Sequence, residues 1–312
     1  MSAAVVTLLA PGGAGAQEDD GDNAVAPGGT VDVLQVSGLF DPITIEAIDD
    51  AIATAESDGA QALVLQVDSG GAVVGRDEIE ALLGRVADAP VPIALWVGPS
   101  GARLYGLPAQ LLAVVDVSGM SPGSRVGYVG VPLRPGGEAV DLGVAEERLR
   151  NTSLGLSEAR QLAVFDQRVP DEGIPTIASM VNALDGYEEG GVVLETTQES
   201  VAEDGTPRRD TTATVRFSKL GLVDELFHTV ASPAVTYLLL LIGLALLVFE
   251  FFTAGIGVAG VVGAVSLVLA CTGLATLPAR GWAVALLILA MLAFAVDVQV
   301  GVPRLWTGVG VV

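Results

Sequence analysis

Four serines, Ser69, Ser100, Ser121 and Ser124, fall in turns that follow short apolar runs. A serine in such a turn becomes a nucleophile only when an imidazole or an amine lies within hydrogen-bond reach. From Val31 to Leu194 there is no lysine, no histidine and no cysteine. The single lysine, Lys219, and the single histidine, His228, come later, at the edge of a long apolar run, and the single cysteine, Cys271, lies inside it. Carboxylates are the only bases left to the four serines, and they activate a hydroxyl poorly. The residue types therefore point to binding rather than covalent catalysis.

Other residues set the remaining options. Asp68-Ser69-Gly70-Gly71 ends a strand-like run, where ligand sites of α/β sheets lie. The glycine pair permits a tight turn with close chain approach, and Asp68 suits a helix cap. Arg103 and Arg125 are placed to flank a groove at that sheet edge; they would hold a peptide carboxylate or pair within an acidic domain. Asp49-Asp50, Asp171-Glu172 and Glu188-Glu189 offer oxygen ligands, but none has the spacing of a calcium loop, so no metal and no cofactor is expected.

The elements that must position these residues read as alternating strands and helices. Strands are expected at Val31–Val36, Ala62–Val67, Ile93–Val97 and Val114–Val117. Between them, helical spacing runs from Ile43 to Ala55, from Ile79 to Val86 and from about Ala102 to Ala113. Strands alternating with helices imply right-handed βαβ units and a parallel sheet. Helices are expected again at Ser157–Val164 and Ile174–Leu184, and a strand at Gly191–Leu194. Thr196–Thr212 is polar and turn-rich, which reads as a linker, and Phe217–Val230 as an amphipathic approach to a membrane.

From Ala234 to Leu277 the chain is uncharged apart from Glu250, and Trp282–Val296 is apolar again. About 20 helical residues cross a bilayer, so spans are expected at 234–252, 256–277 and 281–298, in contact with lipid. Glu250 is expected at the interface between two spans, beside the Thr253–Gly257 break. Gly255, Gly257, Gly260 and Gly263 are small residues at helix-packing spacing, within the chain or with a partner, and an oligomer is expected. The net charge of −22 lies ahead of the spans and excludes nucleic acid as a partner. Met1–Ala16, ending Ala14-Gly15-Ala16, reads as a signal peptide, and 17–30 as an acidic tether. That would make the protein a multi-pass protein of the cell membrane with its soluble domain, 31–195, extracytoplasmic, joined by 196–232 to a membrane domain at 233–312.

The order of segments resembles the NfeD family, membrane-anchored relatives of the ClpP/crotonase fold that accompany stomatin-like proteins. The residues that carry the resemblance are Val36-Ser-Gly-Leu-Phe-Asp-Pro42, Leu65-Gln-Val-Asp-Ser-Gly-Gly71 and Pro92-Ile-Ala-Leu-Trp-Val-Gly-Pro-Ser-Gly-Ala-Arg103. Ala183-Leu-Asp-Gly186, Ala231–Gly243 and Glu250-Phe-Phe-Thr-Ala-Gly-Ile-Gly-Val-Ala-Gly260 continue it. The resemblance implies a ClpP/crotonase-like parallel-sheet domain followed by transmembrane helices. It also implies an oxyanion-like turn at Gly70-Gly71, with Ser69 and Arg103 beside the groove. Long members are serine peptidases with a Ser–Lys dyad. Here the nucleophile position falls on Gly106, and the stretch from Val131 to Ser157, where the lysine helix belongs, holds no lysine. The resemblance thus implies a degenerate peptidase that binds a peptide or scaffolds a stomatin-like membrane protein. The alternative is an active membrane-bound serine endopeptidase with a nonstandard nucleophile.

Overall fold

The computed structural model describes residues 29–165, 170, 172–189, 192–201, 207–253, 257–278, 280–300 and 311. The expected signal peptide, most of the expected tether and Gly255 lie outside the described residues.

Strand β1 (Thr30–Phe40) leads through Asp41 into helix α1 (Pro42–Ser57). Asp41 caps this helix: its carboxylate accepts the Thr44 N–H at 2.8 Å, and Pro42 stands at the first helical position. Ile48, Ile52 and Ala55 recur at helical spacing and are buried against the sheet. Strand β2 (Ala62–Ala72) and helix α2 (Arg76–Ala87) repeat the unit. The Glu78 carboxylate accepts the Gly75 N–H at 2.7 Å, and Ile79, Leu82, Leu83 and Val86 form the buried stripe. Strand β3 (Ile93–Val97) is buried throughout, as a strand covered on both faces must be.

Beyond β3 the chain departs from the expected order. The apolar spacing of 102–113 predicts one helix; the structure has strand β4 (Arg103–Tyr105) followed by a 3-10 helix over Leu107–Ala113. Gly106 separates them at φ 74°, ψ −155°, a conformation open to glycine alone, so no helix can run through it. Strand β5 is Val117–Met120 rather than 114–117. Strand β6 (Arg125–Gly127), helix α3 (Glu146–Asn151), strand β7 (Ser153–Gly155), helix α4 (Leu156–Gln161) and helix α5 (Ile177–Ala183) follow. Two small hairpins come next, β8 (Glu188–Glu189) with β9 (Val192–Val193), and β10 (Thr197–Val201) with β11 (Pro207–Thr211).

Strand β12 (Thr214–Ser218) then returns to pair in parallel with β1, in register Thr30↔Thr214 to Leu34↔Ser218. The segment 196–212, expected as a linker, therefore holds the β10 and β11 strand pair, and the stretch just after it supplies the outermost strand of the main sheet. Arg216 fixes that strand: its guanidinium reaches both Asp32 carboxylate oxygens at 2.7 and 2.8 Å and Asp58 at 2.6 Å. Among the described residues the main sheet has eight strands in the order β12-β1-β2-β4-β6-β7, with β3 and β5 branching from β2. All pairs are parallel except β6 with β7. The branch has a simple cause. The first half of β2 bonds to β3, from Leu63↔Ile93 to Val67↔Val97, while Ser69 pairs with Leu104 of β4. The sheet forks at Asp68–Gly71.

Helix α6 (Leu222–Ala231) joins the sheet domain to helices α7 (Pro233–Phe252), α8 (Val258–Thr276) and α9 (Gly281–Val300). Among the described residues α7 and α8 are long and apolar enough to cross a membrane, and Gly281–Asp297 forms a shorter apolar helix.

Candidate functional site

The fork in the sheet gathers most of the residues marked in the sequence. Ser69 is fully buried; its hydroxyl donates to the Gly71 carbonyl at 2.9 Å and accepts the Gly71 N–H at 3.3 Å. Gly70 is exposed at the mouth of the fork. The Asp68 carboxylate accepts the Arg103 backbone N–H at 2.9 Å and so ties β2 to β4, instead of capping a helix. Gly106 faces this turn: a side chain there would begin 3.4 Å from the Gly71 Cα. The position assigned to a nucleophile therefore adjoins the oxyanion-like turn, and it carries no hydroxyl.

The aromatic pair Tyr105–Tyr128 sits beside it, with ring centroids 5.3 Å apart in an edge-on arrangement. Tyr128 is exposed and has φ 56°, a backbone setting that costs a residue with a Cβ about a kilocalorie or more. Nothing in the sequence around Tyr128 signals that conformation. The segment beyond it is held by Gln110, whose buried amide donates to the carbonyls of Val129 at 2.8 Å and Val131 at 3.1 Å and accepts from the Leu133 N–H at 2.7 Å. Local composition gave no hint of this role either.

The other candidates are held in place locally. Ser100 donates to the Pro122 carbonyl, and Ser124 to the Pro99 carbonyl at 3.2 Å. Ser121 is buried, with no hydrogen-bond partner for its hydroxyl. Arg103 and Arg125 are neighbours in register across β4 and β6, and both are exposed. Arg125 is bonded to Ser153, donating to its hydroxyl at 2.9 Å and its carbonyl at 2.5 Å. Among the described residues no group of three or more His, Cys, Asp or Glu could hold a metal ion.

His228 overturns the expectation that the histidine belongs to the membrane edge alone. It lies on α6 and returns to the start of α1, 187 residues back in the chain. Its Nδ1 stands 2.8 Å from the Asp41 carboxylate and 3.3 Å from the Thr44 hydroxyl, and its Nε2 lies 2.8 Å from the Ser37 carbonyl. Asp41 and Ser37 offer acceptors to opposite ring nitrogens, so only the doubly protonated imidazolium satisfies both. The Asp41 bond accordingly raises the His228 pKa above its usual value, against the opposing pull of burial. Burial alone would raise Asp41, but hydrogen bonds from His228 and Thr44, with the charge of His228, hold it below the usual carboxylate range. The ring sits so close to β1 that a Cβ at Gly38 would fall 2.6 Å from Nε2. In register, Gly38 is opposite Ser69, yet the Ser69 hydroxyl is taken up by Gly71. The ring's partners are a carboxylate, a carbonyl and the Thr44 hydroxyl, and the pair pins α6 to the sheet domain.

In the membrane segment the glycines serve packing within the chain. Gly243 and Gly263 face each other: a Cβ on either would lie 3.0 Å from the other's carbonyl oxygen. Gly273 abuts Thr236 and the Val230 carbonyl. Glu250 of α7 accepts the Gly260 N–H of α8 at 3.3 Å, and Gly257 caps α8 in a left-handed conformation. The carboxylate thus sits where the two helices meet at their connection.

A forked, largely parallel α/β sheet is joined by a pinned helix to two apolar helices long enough to cross a membrane. Residues 234–312 match the NfeD integral membrane domain family model. It is homologous to the membrane-bound protease PH1510 of Pyrococcus horikoshii, 25% identical over 299 residues that cover 90% of this chain and 66% of that protein. The chain thus spans slightly less than two thirds of that relative's length. Similar solved structures include the 1510-N membrane protease specific for a stomatin homolog from P. horikoshii (18% identity, 65% of this chain and 99% of that one, TM-score 0.48). A 1510-N stomatin-specific protease in complex with a substrate peptide (18%, 65% and 98%, TM-score 0.46) and an enoyl-CoA hydratase from Shewanella pealeana (14%, 41% and 58%, TM-score 0.33) are others.

Proposed function

We propose that this protein is a membrane-anchored binding or scaffolding component whose ClpP-class domain no longer performs peptidase chemistry, and that it engages a peptide segment of a stomatin-like membrane protein. The observation that carries the reading is Gly106: the position facing the Gly70-Gly71 turn bears no hydroxyl, and its φ of 74° disfavours any residue with a Cβ. The nearby serines add support. Ser69, Ser100 and Ser124 spend their hydroxyls on local carbonyls, without an amine or imidazole partner. An exposed aromatic pair beside a turn that lacks a nucleophile leaves a surface on which an extended peptide can lie.

The test uses the full-length protein in detergent or nanodiscs, treated with a fluorophosphonate probe and with a set of peptides that tile a stomatin homologue. The reading expects binding of such a peptide, no cleavage and no labelled serine. Labelling at one serine, abolished by its replacement with alanine and accompanied by peptide cleavage, would establish the active-peptidase alternative.

A further inference from the structure

Helix α6 has two sides with opposite commitments. At about 100° per residue, Leu222, Leu226, Val223 and Phe227 occupy an arc of roughly 140°, and His228 projects about 170° from the centre of that arc. The His228 side is bonded to Asp41 and Ser37 of the sheet domain. The opposite side is open: Leu222 is 93% exposed and Val223 64%, with Leu226 and Phe227 also exposed. Phe217, at the end of β12, is exposed just ahead of them. Four large apolar residues on one short helix form a surface that soluble proteins seldom leave to water.

What covers it follows from where the helix leads. After Ser232 the chain passes straight into α7, and Pro233 opens that apolar helix. The junction is rigid: the Thr236 hydroxyl donates to the Val230 carbonyl, at 2.5 Å, and to the Ser232 carbonyl, at 3.0 Å, while Gly273 of α8 lies flush against both Thr236 and Val230. The open face of α6 ends at Phe227, six residues before Pro233, and so lies close to the start of the first membrane-length helix. We propose that α6 is an interfacial helix, its Leu222–Phe227 face embedded at the headgroup and acyl boundary, so that the sheet domain is held against the bilayer surface through His228 rather than hanging from a free tether. The depth of such insertion is about 5–10 Å. The inference stands whether the domain cleaves or only binds.

The test uses the full chain with Cys271→Ser, carrying single cysteines at Leu222, Leu226 or Asp224, labelled with a polarity-sensitive fluorophore. The proteins are reconstituted in phosphatidylcholine vesicles with or without lipids bearing a nitroxide high on the acyl chain. Labels at 222 and 226 are expected to be blue-shifted and quenched by the nitroxide lipid several-fold more strongly than the label at 224, on the polar side. Leu222 is nearly fully exposed, so its replacement leaves the fold intact even if that of Leu226 does not. Equal exposure of all three labels to aqueous iodide would overturn the proposal. So would shielding from iodide without lipid quenching, since a second copy or another protein would then cover the face.

Discussion

Replacing His228 by glutamine removes the one cation that faces Asp41 and Ser37, and leaves the Asp41 carboxylate, in a residue 1% exposed, with its bonds to the Thr44 N–H and hydroxyl. A hydrogen bond to a charged group contributes about 1.5–3 kcal/mol. For a domain of 150–250 residues each kcal/mol corresponds to about 2–4 °C, so His228→Gln should lower the Tm of the sheet domain by roughly 3–12 °C. The effect depends on pH in a defined direction. The folded pKa of His228 is raised, so its contribution is complete below its ordinary value of 6.5 and is lost as pH rises through the folded value. The folded pKa of Asp41 is lowered, so its contribution is present above its ordinary 3.8 and is lost as pH falls through the folded value. The charged groups facing the ring are Asp41 and, from α6 itself, Glu225, both of which favour the proton. The difference between native and variant protein should therefore be greatest between these two limits and shrink at alkaline pH. Because the chain holds one histidine, labelled histidine in tag-free protein gives one ring signal to titrate by NMR. Its midpoint should lie above that of free histidine and fall on Asp41→Asn. A midpoint at or below the free value, unmoved by Asp41→Asn, would refute the pin.

Two further outcomes test the packing around the site and in the membrane. Gln110→Leu leaves the Val129 and Val131 carbonyls and the Leu133 N–H without their partner, and should cost about 2–5 kcal/mol in urea unfolding; an unchanged midpoint would show that the amide is dispensable. Gly243→Leu drives a side chain into the Gly263 carbonyl and the Leu267 backbone, each 3.0 Å from a Cβ there. It should destabilise the α7–α8 hairpin by about 1–3 kcal/mol in a detergent-unfolding assay, whereas Val261→Leu, on an exposed face, should leave it unchanged.

The central βαβ units were legible because their signals are local. Asp41-Pro42 marks the start of α1, and Ile79, Leu82, Leu83 and Val86 keep helical spacing over α2. The turn at Gly70-Gly71 was legible for the same reason. What escaped depends on partners far away in the chain. Arg216 meets Asp32 at a separation of 184 residues and His228 meets Asp41 at 187, and no local periodicity reports either. Strand β12 hid because its side chains are mostly exposed, so it lacks the apolar alternation that identifies a half-buried strand. At Ala102–Ala113 the apolar spacing favoured one helix, and the tertiary pairing of β4 with β2 and β6 overrode it.

The parallel closure of β1 by β12 bears on the order of events during synthesis. The strand that begins the sheet must wait for one that emerges 184 residues later, a delay of about 10–40 s at ordinary elongation rates. His228 follows within a few residues, and then α7. The sheet thus gains its last strand and its pin only as the first apolar helix is about to leave the ribosome. Completion of the sheet domain thus waits until synthesis has reached the first membrane-length helix.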